Sequence, residues 1–314
     1  MARNGQTGAL ARVPAKAGRT TSPSARNTYR GIAVRLGRDL RALATPRGLR
    51  GAATESVWLA AHLAMYPMGI LRERGSHVER YNFEGLTPRQ RSLMINNTDA
   101  ATTPILLVHG MLDNRAIFAL LIRRLRAFGF TRVVTLNYSP ITNDIRAAAE
   151  GLAAAVEELV GETGYERIHI VGHSLGGLIA RYYVQRLGGD ERVHTLVTLG
   201  TPHHGSLAAH VIPANLGRQL RPGSDLFEEL DEPARGCRTR FLAFWSDIDQ
   251  LVVPHDNARL NHRDLTVRNE LVHGVGHLSL PINGDVVQRV SQALSELNTD
   301  GTTLSAGVTS LHAS

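Results

Sequence analysis

A single cysteine, Cys237, stands among the 314 residues. That scarcity excludes an internal disulfide, a disulfide-held scaffold and a cysteine-ligated zinc site. Acid is nearly missing from the first fifty positions, where eleven Lys or Arg residues face Asp39 alone; beyond residue 50, 24 basic residues meet 27 acidic ones. The net charge of +7 therefore belongs to an arm on a slightly acidic body, and it says little about what the body binds. The arm also lacks large apolar residues and interleaved aromatics, with Tyr29 the nearest approach to one. The first lack predicts a mostly disordered segment over 1–50. The second argues against nucleic acid as a partner, because base stacking needs aromatic faces. A weak contact of the arm with an anionic membrane surface stays open.

Long hydrophobic runs are missing too. Nothing in the first fifty residues resembles the apolar stretch of about 7–15 residues that follows the basic start of a secretory signal, so the expected location is cytoplasmic or peripheral on a membrane. Glu55–Leu71 (ESVWLAAHLAMYPMGIL) is apolar but only 17 residues long and is interrupted by His62 and Pro67, short of the roughly 20 residues a spanning helix needs. It reads as a helix that docks on the following domain, with Pro67 ending or kinking it. The expected organisation is an arm over 1–50, a helical and irregular extension over 51–100, a main domain over 101–298 and a frayed polar tail over 299–314.

What the main domain has is alternation. Apolar runs at Pro104–Val108, Arg132–Leu136, Arg167–Val171 and Val193–Leu199 take turns with helical patterns at Arg115–Phe128, Asn143–Val160 and Leu175–Leu187. Ile145, Ala149, Leu152, Val156 and Leu159 share one side of the second helix, at the spacing of a helix packed by one face. An irregular stretch, about 206–236, carries the weak helix DLFEEL; strands Arg240–Trp245 and Leu265–Leu271 and a helix Gly284–Leu297 follow. The pattern predicts an α/β fold, a mostly parallel central sheet flanked by helices, with 206–236 as a short helical cap insertion.

Chemistry concentrates in IHIVGHSLGGLIARYY. Gly172-His173-Ser174-Leu175-Gly176 is a Gly-x-Ser-x-Gly element between strand and helix, the setting in which a sharp turn exposes a serine nucleophile at the strand's C-terminal end. The plainer alternative is a serine that only caps the helix; the strand-to-helix context favours the nucleophile. A serine hydroxyl needs a base, and the base needs an orienting carboxylate. On such a scaffold both follow the serine, each on a loop after a strand. After RFLAFW come Asp247 and Asp249, and after LTVRNEL come His273 and His277. Asp249 is the better acid, because it directly precedes the loop-anchoring Leu251-Val252-Val253-Pro254, while Asp247 suits a loop-capping role. His277 is the better base, because Gly274 and Gly276 let its loop turn toward the sheet edge. Two backbone N–H groups must meet the oxyanion, and Leu175, next to the serine, and Met111, after the strand PILLV, are the candidates.

Taken together, PILLVHGMLDN, VGHSLGGLIARYY, LGTPHHGS, SDIDQLVVP and HGVGHLSL resemble, in order, the blocks of the bacterial lipase and esterase branch of the α/β-hydrolase superfamily. The resemblance runs from about Thr103 to Leu297. It implies an α/β-hydrolase fold, Ser174 as nucleophile, Asp249 as acid, His277 as base, Met111 and Leu175 as oxyanion donors, and an ester or lipid substrate. No cofactor and no metal is implied; His203 and His204 are adjacent in extended chain and so point to opposite sides, which suits a structural role. Hydrolysis of an apolar acyl ester is the leading expectation, with Leu, Val, Ile and Phe of the cap lining an acyl pocket. Acyl transfer to an alcohol through the same acyl-enzyme is the alternative, and a non-catalytic binding module on the same fold is disfavoured because every catalytic position is filled.

Overall fold

Strands buried on both faces need no polar alternation, and the runs ILLV, IHIVGH and VHTLVTL form β1 (Ile105–Val108), β3 (Ile168–His173) and β4 (Val193–Leu199) with every residue buried. In the computed structural model β2 (Val133–Leu136), β5 (Arg240–Ser246) and β6 (Thr266–Val272) complete a parallel sheet in the order β2-β1-β3-β4-β5-β6. Each pairing is parallel, so the strands' C-terminal ends line a single edge. The exposed alternation of β6 marks it as an edge strand of the described sheet. The structure describes residues 87–296 apart from 112–114, 137, 139–142 and 213, together with 34–56 apart from 35, 36, 40, 42, 43, 47 and 52. The expected helix Glu55–Leu71 therefore falls outside the described residues from Val57 onward, and so does the tail over 299–314.

Two apolar layers cover the sheet. On one side α4 (Ile145–Thr163) and α5 (Leu175–Arg186) pack against Leu106, Val108, Ile168 and Ile170. On the other α3 (Ala119–Phe128) and α8 (Gly284–Ser295) pack against Ile105, Leu107, Val171 and Val197. The stripe expected on α4 is the stripe observed: Ile145, Ala149, Leu152, Val156 and Leu159 are its buried residues. Asp144 caps its start by accepting from Arg146 N, and Gly164, at φ +72°, ends it. Two short helices precede the sheet, α1 (Pro88–Asn96) and α2 (Thr98–Thr102), in and just beyond the stretch expected to be helical and irregular, where the sequence pattern delimits neither. Thr87 and Gln90 close a reciprocal capping box on α1, a signal easily passed over in so polar a segment.

The cap stretch holds a 3-10 turn at Leu207–Val211 and the helices α6 (Ala214–Gln219) and α7 (Asp225–Asp231). Its Leu216, Leu220, Leu226, Phe227 and Leu230 are packed into the core layer of α4 and α5, so these residues are spent on stability. Of its other apolar residues, Val211 is exposed, while Leu207 and Ile212 are half-buried. Arg181 of α5 is fully enclosed and ties this region together. Its Nη1 donates to His203 O (2.8 Å), its Nη2 to Leu230 O (3.1 Å) and its Nε to Gln185 Oε1 (2.6 Å). His203 is buried too, against the Thr198 hydroxyl at 2.9 Å.

The arm expected to be disordered as far as Arg50 is in part ordered. Helical backbone occurs at 37–39, 48–51 and 53–56, and Asp39, the one acid of the first fifty residues, is buried, its carboxylate accepting from His255 N at 3.0 Å. The reason is electrostatic: one fixed carboxylate satisfies a buried donor that the main domain leaves open. Among the described residues no helix is long and apolar enough to cross a membrane.

His169 of β3 and His194 of β4 are buried with ring centroids 5.9 Å apart. Burial, then the neighbouring His194 and Arg240, pushes His169 down to about 3; burial and Arg167 push His194 down to about 4. Both rings are thus neutral in the folded state while the unfolded chain protonates near its ordinary value, about 6.5. Their contribution is present in full above that value and is lost as pH falls toward 4 and 3. Each ring adds a slope of up to about 1.4 kcal/mol per pH unit in that window. Urea titrations between pH 7 and 4 are expected to show falling stability, and His169→Gln to flatten the fall; an unchanged slope would assign the acid lability to other groups.

Candidate active site

β3 runs straight into α5, and the turn between them is forced. Ser174 sits at φ +53°, ψ −122°, the one non-glycine residue with positive φ among those described. Such a conformation costs about 1–3 kcal/mol and persists only where the surroundings over-determine it. They do so here. Ser174 N donates to Leu199 O (2.9 Å), and Ser174 O accepts from Thr201 Oγ1 (2.9 Å) and from Gly177 N (3.1 Å). A Cβ at Gly172 would collide with the Gly177 backbone, and one at Gly176 with the carbonyls of Val108 and His109. The Gly-x-Ser-x-Gly spacing is therefore a packing requirement on both sides of the serine. The Ser174 side chain makes no capping hydrogen bond to α5 and is half-buried at the sheet edge, so it is not acting as the cap of that helix.

Asp249 and His277 meet on the neighbouring loops. Asp249 follows β5 and is fully enclosed; its Oδ2 lies 2.7 Å from His277 Nδ1. Its Oδ1 accepts from Leu251 N (2.9 Å) and Val252 N (2.8 Å). Burial works against its charge, but His277, the hydrogen bond to it and the two backbone N–H groups outweigh burial and hold the carboxyl below the usual carboxylate range. A carboxylate there fixes the proton on Nδ1 and makes Nε2 the basic nitrogen of the ring. The anchor of the acid loop is Val252, buried, with Leu251 half-exposed. Ser206 binds the same loop, its hydroxyl donating to Leu251 O (2.7 Å) and accepting from Val253 N (3.0 Å).

His173, directly before Ser174, links this turn to His277. Its ring centroid is 4.9 Å from that of His277, and its Nε2 is 3.2 Å from His277 O. Gly200, at φ +60° just after β4, completes the enclosure: a Cβ there would stand 3.1 Å from His277 Nδ1 and 3.2 Å from Asp249 Oδ2. The other two candidates form a pair of their own. Asp247 Oδ2 lies 2.7 Å from His273 Nδ1, and its Oδ1 accepts from Gly274 N at 2.8 Å. That second pair is solvent-facing, with the His273 side chain 63% exposed against 2% for His277.

Leu175 opens α5, so its N–H belongs to the first turn, where the helix dipole is positive. The contact of Gly176 with the Val108 and His109 carbonyls brings the turn 109–111 alongside. Tyr138 holds that turn from behind: its hydroxyl donates to His109 O at 2.7 Å, and its ring stacks on His109 with centroids 4.3 Å apart. Met111 is half-buried at the end of the described part of this turn. Sequence reasoning missed Tyr138, His173, Gly200 and Thr201. For Gly200-Thr201 a signal existed, a glycine at the C-terminal end of a buried strand; for Tyr138 none did.

A family model described as the alpha/beta hydrolase fold matches residues 103–221. A triacylglycerol lipase of Pseudarthrobacter phenanthrenivorans is 32% identical over 120 residues, 35% of this chain and 36% of that protein. The chain spans about a third of the length of the curated relatives it matches. Among solved structures, the Bacillus licheniformis lipase BlEst2 in mature form is similar with a TM-score of 0.52 and 19% identity, over 62% of this chain and 92% of that one. Aspergillus fumigatus lipase B is similar with a TM-score of 0.55 and 17% identity, over 62% of this chain and 52% of that one. Likenesses at such identities are likenesses of fold.

Proposed function

We propose that this chain, whose residues 103–221 match the alpha/beta hydrolase fold model, is a serine carboxylic-ester hydrolase of the bacterial lipase and esterase kind within the α/β-hydrolase superfamily, acting on an apolar acyl ester through Ser174, His277 and Asp249. The observation that carries the reading is the enclosed 2.7 Å pair of Asp249 and His277 beside a serine held at positive φ. His277 Nε2 takes the Ser174 proton as Oγ attacks the ester carbonyl. The N–H groups of Leu175 and Met111 meet the developing oxyanion, with the dipole of α5 aimed the same way. His277 then gives the proton to the departing alcohol, and water, activated by the same nitrogen, releases the acid. The triacylglycerol lipases among the relatives favour a lipid or other long acyl ester as substrate. So do the exposed Val211 and Leu251, on segments joined by the Leu207 N to Val253 O hydrogen bond (2.8 Å). The stretch 206–236 serves in this reading as the cap beside the acyl site.

A panel of p-nitrophenyl esters from C2 to C16, run before and after reaction with an organophosphonate, tests both halves. The expected result is turnover that rises with acyl length beyond C2 and is abolished by one label, mapped to Ser174. A label on another residue, or turnover that survives full labelling, would overturn the reading.

A further inference from the structure

His277 stands on a loop rich in glycine, and such a loop does not by itself hold a ring to a fraction of an ångström. The brace comes from outside the main domain. The Glu55 carboxylate accepts from the two N–H groups that follow His277: from Leu278 N in a very short hydrogen bond, and from Ser279 N at 3.1 Å. It also accepts from the Ser279 hydroxyl at 2.7 Å. Gly276, directly before His277, packs against the same carboxylate so closely that a Cβ there would collide with it. One turn earlier on the same helical face, Gly51 lies against the other half of the pair. A Cβ there would strike the Ile248 side chain, next to Asp249, and would stand 2.7 Å from Gly274 O. Gln250 offers a long, 3.4 Å contact to His277 N from the acid loop. The acid loop and the base loop thus share one external support, and Glu55 is its charged end.

We propose that Glu55 is a positioning residue for His277, fixing the 276–279 turn so that the imidazole stays aligned with Asp249 and Ser174. The proposal rests on the reading of His277 as the base. Glu55 touches neither substrate nor the reacting atoms; it acts through the backbone on either side of the base. Its removal should therefore lower kcat and leave KM alone, since substrate contacts are intact while the productive orientation of the base is populated less.

The test uses the full chain and p-nitrophenyl butyrate, with folding followed by circular dichroism. Glu55→Ala is expected to lower kcat about 10- to 100-fold with KM changed less than about twofold. The low-field proton resonance of His277 Nδ1–H should broaden in the same variant. Glu55→Gln, which keeps the volume and one acceptor, should recover part of the rate, and it carries the test if Glu55→Ala does not fold. Gly276→Ala forces the carboxylate away from the other side and should reproduce the defect. Adding it to Glu55→Ala, where the space is vacant, should cost nothing further, a non-additivity that marks a shared contact. Wild-type kcat in folded Glu55→Ala or Glu55→Gln, or a defect confined to thermal stability, would overturn the proposal. His277→Ala separates the two readings: if it stays active, the assignment of the base fails, whereas an inactive His277→Ala beside a fully active Glu55→Ala refutes the brace alone.

Discussion

Ser174→Ala is expected to lower ester turnover by at least about a thousandfold while the protein remains folded, because the loss removes the activated nucleophile and nothing that packs. The half-buried side chain makes no capping bond to α5, so the truncation does not uncap the helix. Alanine inherits the backbone cost of φ +53° unchanged. Glycine does not, and Ser174→Gly is expected to be equally inactive yet more stable than Ser174→Ala by about 1 kcal/mol. In a domain of this size that is a rise of roughly 2–4 °C in Tm. Calorimetry of the two inactive variants reads the strain directly. Equal Tm values would mean that the turn is not strained, and a Ser174→Ala protein within a hundredfold of wild type would remove the serine from the mechanism.

Asp249→Asn is expected to cost about three to four orders of magnitude in kcat, and Asp247→Asn less than about threefold. The two aspartates differ in what their oxygens do. Both oxygens of Asp249 are engaged, Oδ1 by two backbone N–H groups and Oδ2 by His277 Nδ1. An asparagine amide must turn its NH2 toward one of these sides. Facing the backbone, it sets donor against donor; facing His277, it requires the tautomer with the proton on Nε2, which cannot take a proton from Ser174. Asp247 is half-buried and its partner His273 exposed, and a side-chain pair lost at such a surface is worth little. His277→Ala should match Ser174→Ala in severity, and the double variant should be no worse than either alone, since the pair acts as a unit. Steady-state kinetics of these variants decides the assignment. A larger loss for Asp247→Asn than for Asp249→Asn would transfer the acid to the exposed pair.

Much of this site is written in short-range pattern. The helical stripe of α4 and the Gly-x-Ser-x-Gly turn follow from spacing alone, because parallel strands covered on both faces read as unbroken apolar runs and a tight turn tolerates little beside glycine. The preference for Asp249 over Asp247 rests on the apolar run Leu251–Pro254, in which Val252 is buried. Long-range contacts were not. Glu55 is one acid in a helical segment that looks no different from any solvated one, and its role exists only because Gly276 leaves room for it. Gly274 adopts φ +71°, the conformational freedom for which glycine was expected there, but Gly276 serves close approach instead. The cap's leucines looked like acyl-pocket lining because apolarity marks burial of any kind; whether a residue is buried by substrate or by α4 and α5 depends on packing that no local pattern encodes. The short α1, polar on most of its surface, was lost for want of an apolar stripe.

The distance along the chain between Glu55 and its partners also sets an order of events during synthesis. Ser279 lies 224 residues after Glu55, and His255 lies 216 after Asp39. At about 5–20 residues per second, the turn that carries His277 leaves the ribosome roughly 10–45 s after the segment that braces it. The elbow at Ser174 emerges between them, with β1 and β3 already available to pair. A nascent chain can therefore assemble the Ser174 half of the sheet early, while His277 and its support close contacts more than 200 residues long only later. Interrupted translation yields a serine on its turn with no imidazole beside it, and under the proposed mechanism acyl chemistry waits until the chain has been made as far as Ser279.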